Sequence, residues 1–147
     1  MVWLQCVIVG VVISLRDIKT HRIKRKDICI AIALVSPFVN FESCIYGVIN
    51  VLLYCVLFFL SSQSLGFGDV RLAGLIGLYL GGLDGKVDDL FMINCLTWVI
   101  AGSWVGLRSL HQRKMLSDRI AFAPFMFLGL ALWNMVDEFE GISEILG

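Results

Sequence analysis

Six apolar runs, parted by polar or charged connections, organise the chain. They fall at about 2–15, 28–41, 44–63, 70–83, 90–107 and 120–136. Within each run apolar residues follow one another without strict alternation, which predicts helices rather than the strands of a barrel. A helix that crosses hydrocarbon needs about 20 residues, with a range of about 17–25. The third, fifth and sixth runs reach or approach that length. The first, second and fourth are short, so their helices are expected to run on into polar sequence or to be shielded by neighbours. The expected fold is all-α: a polytopic membrane helical bundle of about six transmembrane helices, forming one domain over 1–147.

The connections carry a second pattern. "RDIKTHRIKRKD" follows the first run and "RSLHQRKMLSDR" the fifth, and Arg71 ends the connection after the third. Eleven of the twelve Lys and Arg lie in these three alternate connections; the exception is Lys86 in "GLDGKVDD". The tail "DEFEGISEILG" has four acids and no base. Basic connections stay on the cytoplasmic side. Both termini are therefore expected on the non-cytoplasmic side. Losing one crossing scrambles the alternation and losing an adjacent pair does not, so the pattern supports an even number more firmly than six.

Composition agrees. The chain is 59% hydrophobic over 147 residues, with a mean hydropathy of +0.86, against about 45–50% apolar in soluble domains. A soluble domain of this size has too little interior to hide that surface. Cys6, Cys29, Cys44, Cys55 and Cys95 lie in or beside apolar runs with no C-x-x-C pair, so apolar filling is expected rather than zinc or disulfides. The first run has no basic residue ahead of it, unlike a cleaved signal peptide, and is expected to stay as a helix. Small residues recur every fourth position at Ala73, Gly77 and Gly81, and again at Gly102 and Gly106. That spacing lets helix backbones approach in lipid, and a packing role is expected for all five. His21 and His111 are expected in exposed loops. Trp3, Trp98, Trp104 and Trp133 are expected as lipid or interface anchors. No cofactor, metal or nucleic-acid partner is expected.

Two acids stand out. Asp17 ends the first run, and Asp69 opens the fourth within "LGFGDVRLAG". Alternate crossings place both at one membrane depth, where ionisable groups are costly and are functional candidates. Two carboxyls held together can share one proton. The ionised member takes a proton from water while the protonated member polarises a carbonyl; this hydrolyses a peptide bond directly. Gly66 and Gly68 would free the backbone beside Asp69 and let a substrate segment approach. Structural readings stand alongside. Asp69 suits the N-terminus of the fourth helix, and Asp17 suits a counter-charge to Arg16 and Lys19.

Three stretches, "LRDIKTHRI", "GFGDVRLAGLIGLYLG" and "IAFAPFMFLGL", resemble in order and spacing the signature regions of the type IV prepilin peptidase family, membrane aspartic proteases with a G-x-G-D motif. The resemblance covers about residues 14–130 and is most specific in the middle stretch. It implies that Asp17 and Asp69 are the catalytic dyad, with Gly66 and Gly68 as the motif glycines. It implies cleavage of the basic leader from prepilin or pseudopilin-like precursors at the cytoplasmic membrane face. Many relatives have Pro–Asn after the isoleucine of the first stretch, where Lys24 and Arg25 stand here. Many have Pro and Gly where Ala121 and Ala123 stand. The methyltransferase region of longer relatives, with its paired C-x-x-C motifs, has no counterpart, so the short form resembles stand-alone peptidases of tight-adherence pili or archaeal flagellin processing. The basic loop Arg16 to Lys26 lies beside the expected site and opposes a basic leader. Leader recognition therefore falls to acids or carbonyls that the sequence does not single out. Two other readings remain: an intramembrane protease of presenilin type, whose chains are much longer, and a non-enzymatic membrane subunit for transport or pilus assembly, its acids handling ions or packing.

Overall fold

The computed structural model describes residues 2–20, 23, 25–60, 66–112 and 121–146, the side chains of 109, 111, 112 and 139–146 excepted. These residues form six α-helices and no strand: α1 (Val2–Thr20), α2 (Arg25–Val35), α3 (Phe41–Leu60), α4 (Phe67–Gly82), α5 (Val87–Gln112) and α6 (Ala123–Leu146), with a single 3-10 turn at Ser36–Phe38. Each apolar run has become one helix. As expected, α1 runs on past its apolar stretch, through Asp17 to Thr20. Pro37 ends α2, because its ring removes a backbone donor and restricts Ser36. His111 lies in the last turn of α5 rather than in a loop, and His21 is outside the described residues.

The centre of the bundle is α4, which packs against α1, α2, α3 and α6. It is also the helix the sequence marks with small residues. A Cβ on Gly77 would stand 2.5 Å from the Tyr46 carbonyl oxygen, and one on Gly81 would stand 2.4 Å from the Ser43 Cα. Backbones of α3 and α4 therefore touch where only hydrogen separates them. These contacts run 43 to 81, 46 to 77 and 51 to 74, so the two helices are antiparallel. Ala73 is fully buried on the same helix. Gly102 and Gly106 depart from expectation: no described atom lies within 4 Å of a Cβ built on either. That face of α5 points outward, so small residues at the right spacing have no helix to admit there.

Asparagines stitch the bundle across three helices. The Asn94 side-chain amide of α5 donates to Asn50 Oδ1 of α3 at 2.9 Å, and Asn50 Nδ2 donates to the Ala73 carbonyl of α4 at 2.8 Å. Both asparagines are buried. An amide in an apolar surrounding is costly unless bonded, so the chain Asn94–Asn50–Ala73 fixes which faces meet.

Two helices, Phe41–Leu60 and Val87–Arg108, are long and apolar enough to cross a membrane. Only 28% of the most apolar window of each is buried inside the protein, unlike the mostly buried core helix of a soluble domain. Ile45, Val48, Leu52, Val56 and Phe59 of α3 are exposed. An apolar face with that much exposure needs lipid as its solvent. Among the tryptophans, Trp104 is exposed and Trp98 partly so, as interface residues are, but Trp133 is 6% exposed and belongs to the core. Its place on the inner face of α6, against Gly85, explains the departure.

Candidate active site

Asp17 and Asp69 reach one end of the bundle because α1 and α4 are antiparallel. Val2, at the start of α1, lies against Gly82 at the end of α4. The last turn of α1 therefore meets the first turn of α4. Ile23, between α1 and α2, packs on Gly68 at the same end.

Each acid is held by a helix start. Ala123 N–H donates to Asp17 Oδ2 at 3.1 Å, although 17 and 123 are far apart in sequence. Helices begin with unpaired N–H groups that must find acceptors. In α6 the account closes. Asp17 takes the Ala123 N–H, Pro124 has none, and the Phe125 and Met126 N–H groups both reach the Phe122 carbonyl. The third signature stretch thus matters through its backbone. It presents the positive end of a helix to Asp17, which is 5% exposed. Of the two bases named as counter-charges, Arg16 pairs with Asp27 on α2.

Asp69 lies in the first turn of α4. Its Oδ2 accepts the Gly66 N–H at 3.1 Å, and its own N–H donates to the Gly66 carbonyl at 3.0 Å. This is the acidic half of a capping box, so the helix-start reading of Asp69 holds as local structure. Asp69 lies outside both helices that qualify as crossings. Burial pushes its carboxyl up from 3.8 to about 6; the Gly66 N–H pulls the other way, and the charge of Asp17 adds to the rise. Gly66 and Gly68 serve for reasons other than freedom of angle. Gly66 has an ordinary φ of −77°, and no described glycine has a positive φ. A Cβ on Gly68 would stand 3.2 Å from that of Ile23, so the space beside it is filled by the chain itself.

Aromatic side chains wall the site. Phe122 packs on Trp98 at 5.2 Å and on Tyr54 at 6.4 Å between ring centroids. Tyr54 is wholly buried, and among the described residues its hydroxyl makes no hydrogen bond of normal geometry. Tyr54, Asn50 and Asn94 escaped the sequence reading. For the asparagines a signal existed, a lone amide inside "GVINVLLY" and "FMINCLTW". Nothing separates Tyr54 from any other apolar-run aromatic.

Fold and site together define an all-helical protein of the membrane with two carboxyls at one end of its bundle. The sequence profile of the type IV leader peptidase family matches residues 4–107, more than two thirds of the chain. The chain belongs to that family, a family of proteases, as its three motif stretches imply. The match takes in Asp17, Gly66, Gly68 and Asp69; the third stretch lies beyond it. No curated protein and no solved structure matches the chain.

Proposed function

We propose that this protein is a membrane aspartic endopeptidase that removes the basic leader from type IV prepilin-like or pseudopilin-like precursors at the cytoplasmic face of the inner membrane. In this reading the chain crosses six times with both termini outside, the fourth crossing being the apolar stretch 70–83 that begins just after Asp69. Asp17 and Asp69 hold one water between them. The ionised carboxylate takes a proton from that water, and the new hydroxyl bonds to the peptide carbonyl carbon. The protonated carboxyl hydrogen-bonds to the carbonyl oxygen. Collapse then breaks the C–N bond as a proton passes to the nitrogen. The pair titrates as a unit, so acid and base are not divided between the two residues. The observation that carries the reading is geometric: antiparallel α1 and α4 bring a buried Asp17 and a half-buried Asp69 to one end of the bundle.

The same hydrogen bonds favour a second reading, in which both acids only cap helices in a non-enzymatic membrane subunit. Asparagine separates the two, because its side-chain oxygen still accepts the Ala123 or Gly66 N–H. The test co-expresses the chain with a prepilin from the same genome and follows leader loss on a gel. Asp17→Asn and Asp69→Asn should each lower processing by at least about 10²-fold, the scale of general acid–base catalysis, at unchanged abundance. Cleavage that survives in either variant rejects the dyad.

A further inference from the structure

A groove of about 750 Å³ runs between α2, α3 and α4. Its two ends differ. Arg25, the first residue of α2, and Arg71, in the first turns of α4, line the end that also holds Asp69. From there the lining is apolar, through Ile32 on α2, Val48 on α3 and Leu78 on α4. The described ion pair at this end joins Arg16 to Asp27. Among the described residues neither Arg25 nor Arg71 has a carboxylate partner, and the Arg71 guanidinium rests over the Phe67 ring at 4.8 Å. A groove with two cationic groups at its mouth and an apolar body fits an amphiphile with an anionic head.

We propose that this groove is a binding site for one anionic phospholipid, its phosphate on Arg25 and Arg71 and an acyl chain along α3 and α4. Length decides between a lipid and a helix of another protein. The α3 lining runs from Cys44 to Leu52, about 12 Å at ~1.5 Å per residue. That is close to one leaflet of a hydrocarbon core ~30 Å thick, and a crossing helix would leave more than half of its length unsupported. Charge decides in the same direction. A phospholipid brings its phosphate to the level where basic pockets between helices take head groups, and the two arginines stand at the mouth to receive it. The inference stands on the groove and its arginines and is independent of the peptidase reading.

The test is native mass spectrometry of the full chain, purified in detergent and exposed to equal amounts of dioleoyl phosphatidylglycerol and dioleoyl phosphatidylcholine. One phosphatidylglycerol per chain should be retained in preference. At ~1 kcal/mol for each arginine near a lipid phosphate, Arg25→Gln and Arg71→Gln should each weaken retention about fivefold, and the double variant about 25-fold, while Lys19→Gln changes nothing. In the unaltered protein, a phosphatidylglycerol with a photoreactive acyl chain should cross-link to groove residues such as Ile32 and Val48. Equal retention of both lipids, full retention by the double variant, or cross-links confined to other faces would each overturn the proposal. So would displacement by millimolar inorganic phosphate, which would mark a bare anion site, or by a synthetic apolar helix, which would mark a protein groove.

Discussion

Alanine at Gly77 tests the packing that brings the two acids together. The new Cβ would stand 2.5 Å from the Tyr46 carbonyl oxygen, 2.6 Å from its carbon and 2.7 Å from the Gly47 Cα, where ordinary contact begins at 3.4 Å. All three neighbours are backbone, so no side chain can turn away. Helix α3 must retreat by about 1 Å over at least one turn, and the Asn50 bond to the Ala73 carbonyl must stretch with it. Overpacking of this kind costs about 1–3 kcal/mol, here at the upper end. The intrinsic gain from Gly to Ala in a helix offsets about 0.5–1 kcal/mol, leaving a net loss of about 2 kcal/mol. Gly81→Ala should behave alike, because its Cβ would meet the Ser43 backbone at 2.4 Å. Gly102→Ala is the control. With no described atom within 4 Å, it should be neutral or gain up to about 1 kcal/mol. Equilibrium unfolding in mixed micelles measures all three. If Gly77→Ala matches the unaltered protein, or Gly102→Ala is as damaging as Gly77→Ala, the close α3–α4 contact is not what holds the bundle.

Other outcomes follow from the same geometry. Asn94→Leu leaves the Asn50 oxygen without its donor, and should cost about 0.6–2 kcal/mol in the same unfolding assay. Arg16→Ala breaks an ion pair whose arginine side chain is 52% exposed; solvent screening limits the loss to at most about 1 kcal/mol, and insertion should be normal. Asp69 makes stability depend on pH with a definite sign. Its carboxyl is raised on folding, so its contribution is fully present below about 3.8 and is lost as pH rises through about 6. Asp69→Asn, which cannot ionise, should therefore gain melting temperature relative to the unaltered protein between pH 4 and pH 8; an equal difference at both ends would contradict this.

How far the sequence carries depends on which force fixes each feature. Six apolar runs became six helices because lipid or core burial selects long apolar segments whatever their neighbours. The shortness of "VRLAGLIGLYLGGL" also had a visible cause, since a central helix walled by protein needs less length. Asp17 and Asp69 were legible as a pair, because chain direction alone returns them to one end. What holds Asp17 was not, since its donor is a backbone N–H more than a hundred residues away and backbone groups leave no mark in a sequence. Gly102 and Gly106 share their spacing with Gly77 and Gly81. The difference is whether a partner helix lies opposite, which periodicity does not encode. Trp133 misled for a related reason: an aromatic in an apolar run reads alike whether it faces lipid or Gly85.

The claim beneath the rest is that Asp17 and Asp69 act on each other. Isotope-edited infrared spectroscopy can follow the protonated carboxyl band of Asp69, assigned by its loss in Asp69→Asn, across a pH titration. The unaltered protein should show a midpoint near 6. In Asp17→Asn, which removes the neighbouring charge and keeps the bond from Ala123, the midpoint should fall yet stay above 3.8, because burial persists. A midpoint that does not move would mean that the two carboxyls are strangers, and the shared-water mechanism would go with it.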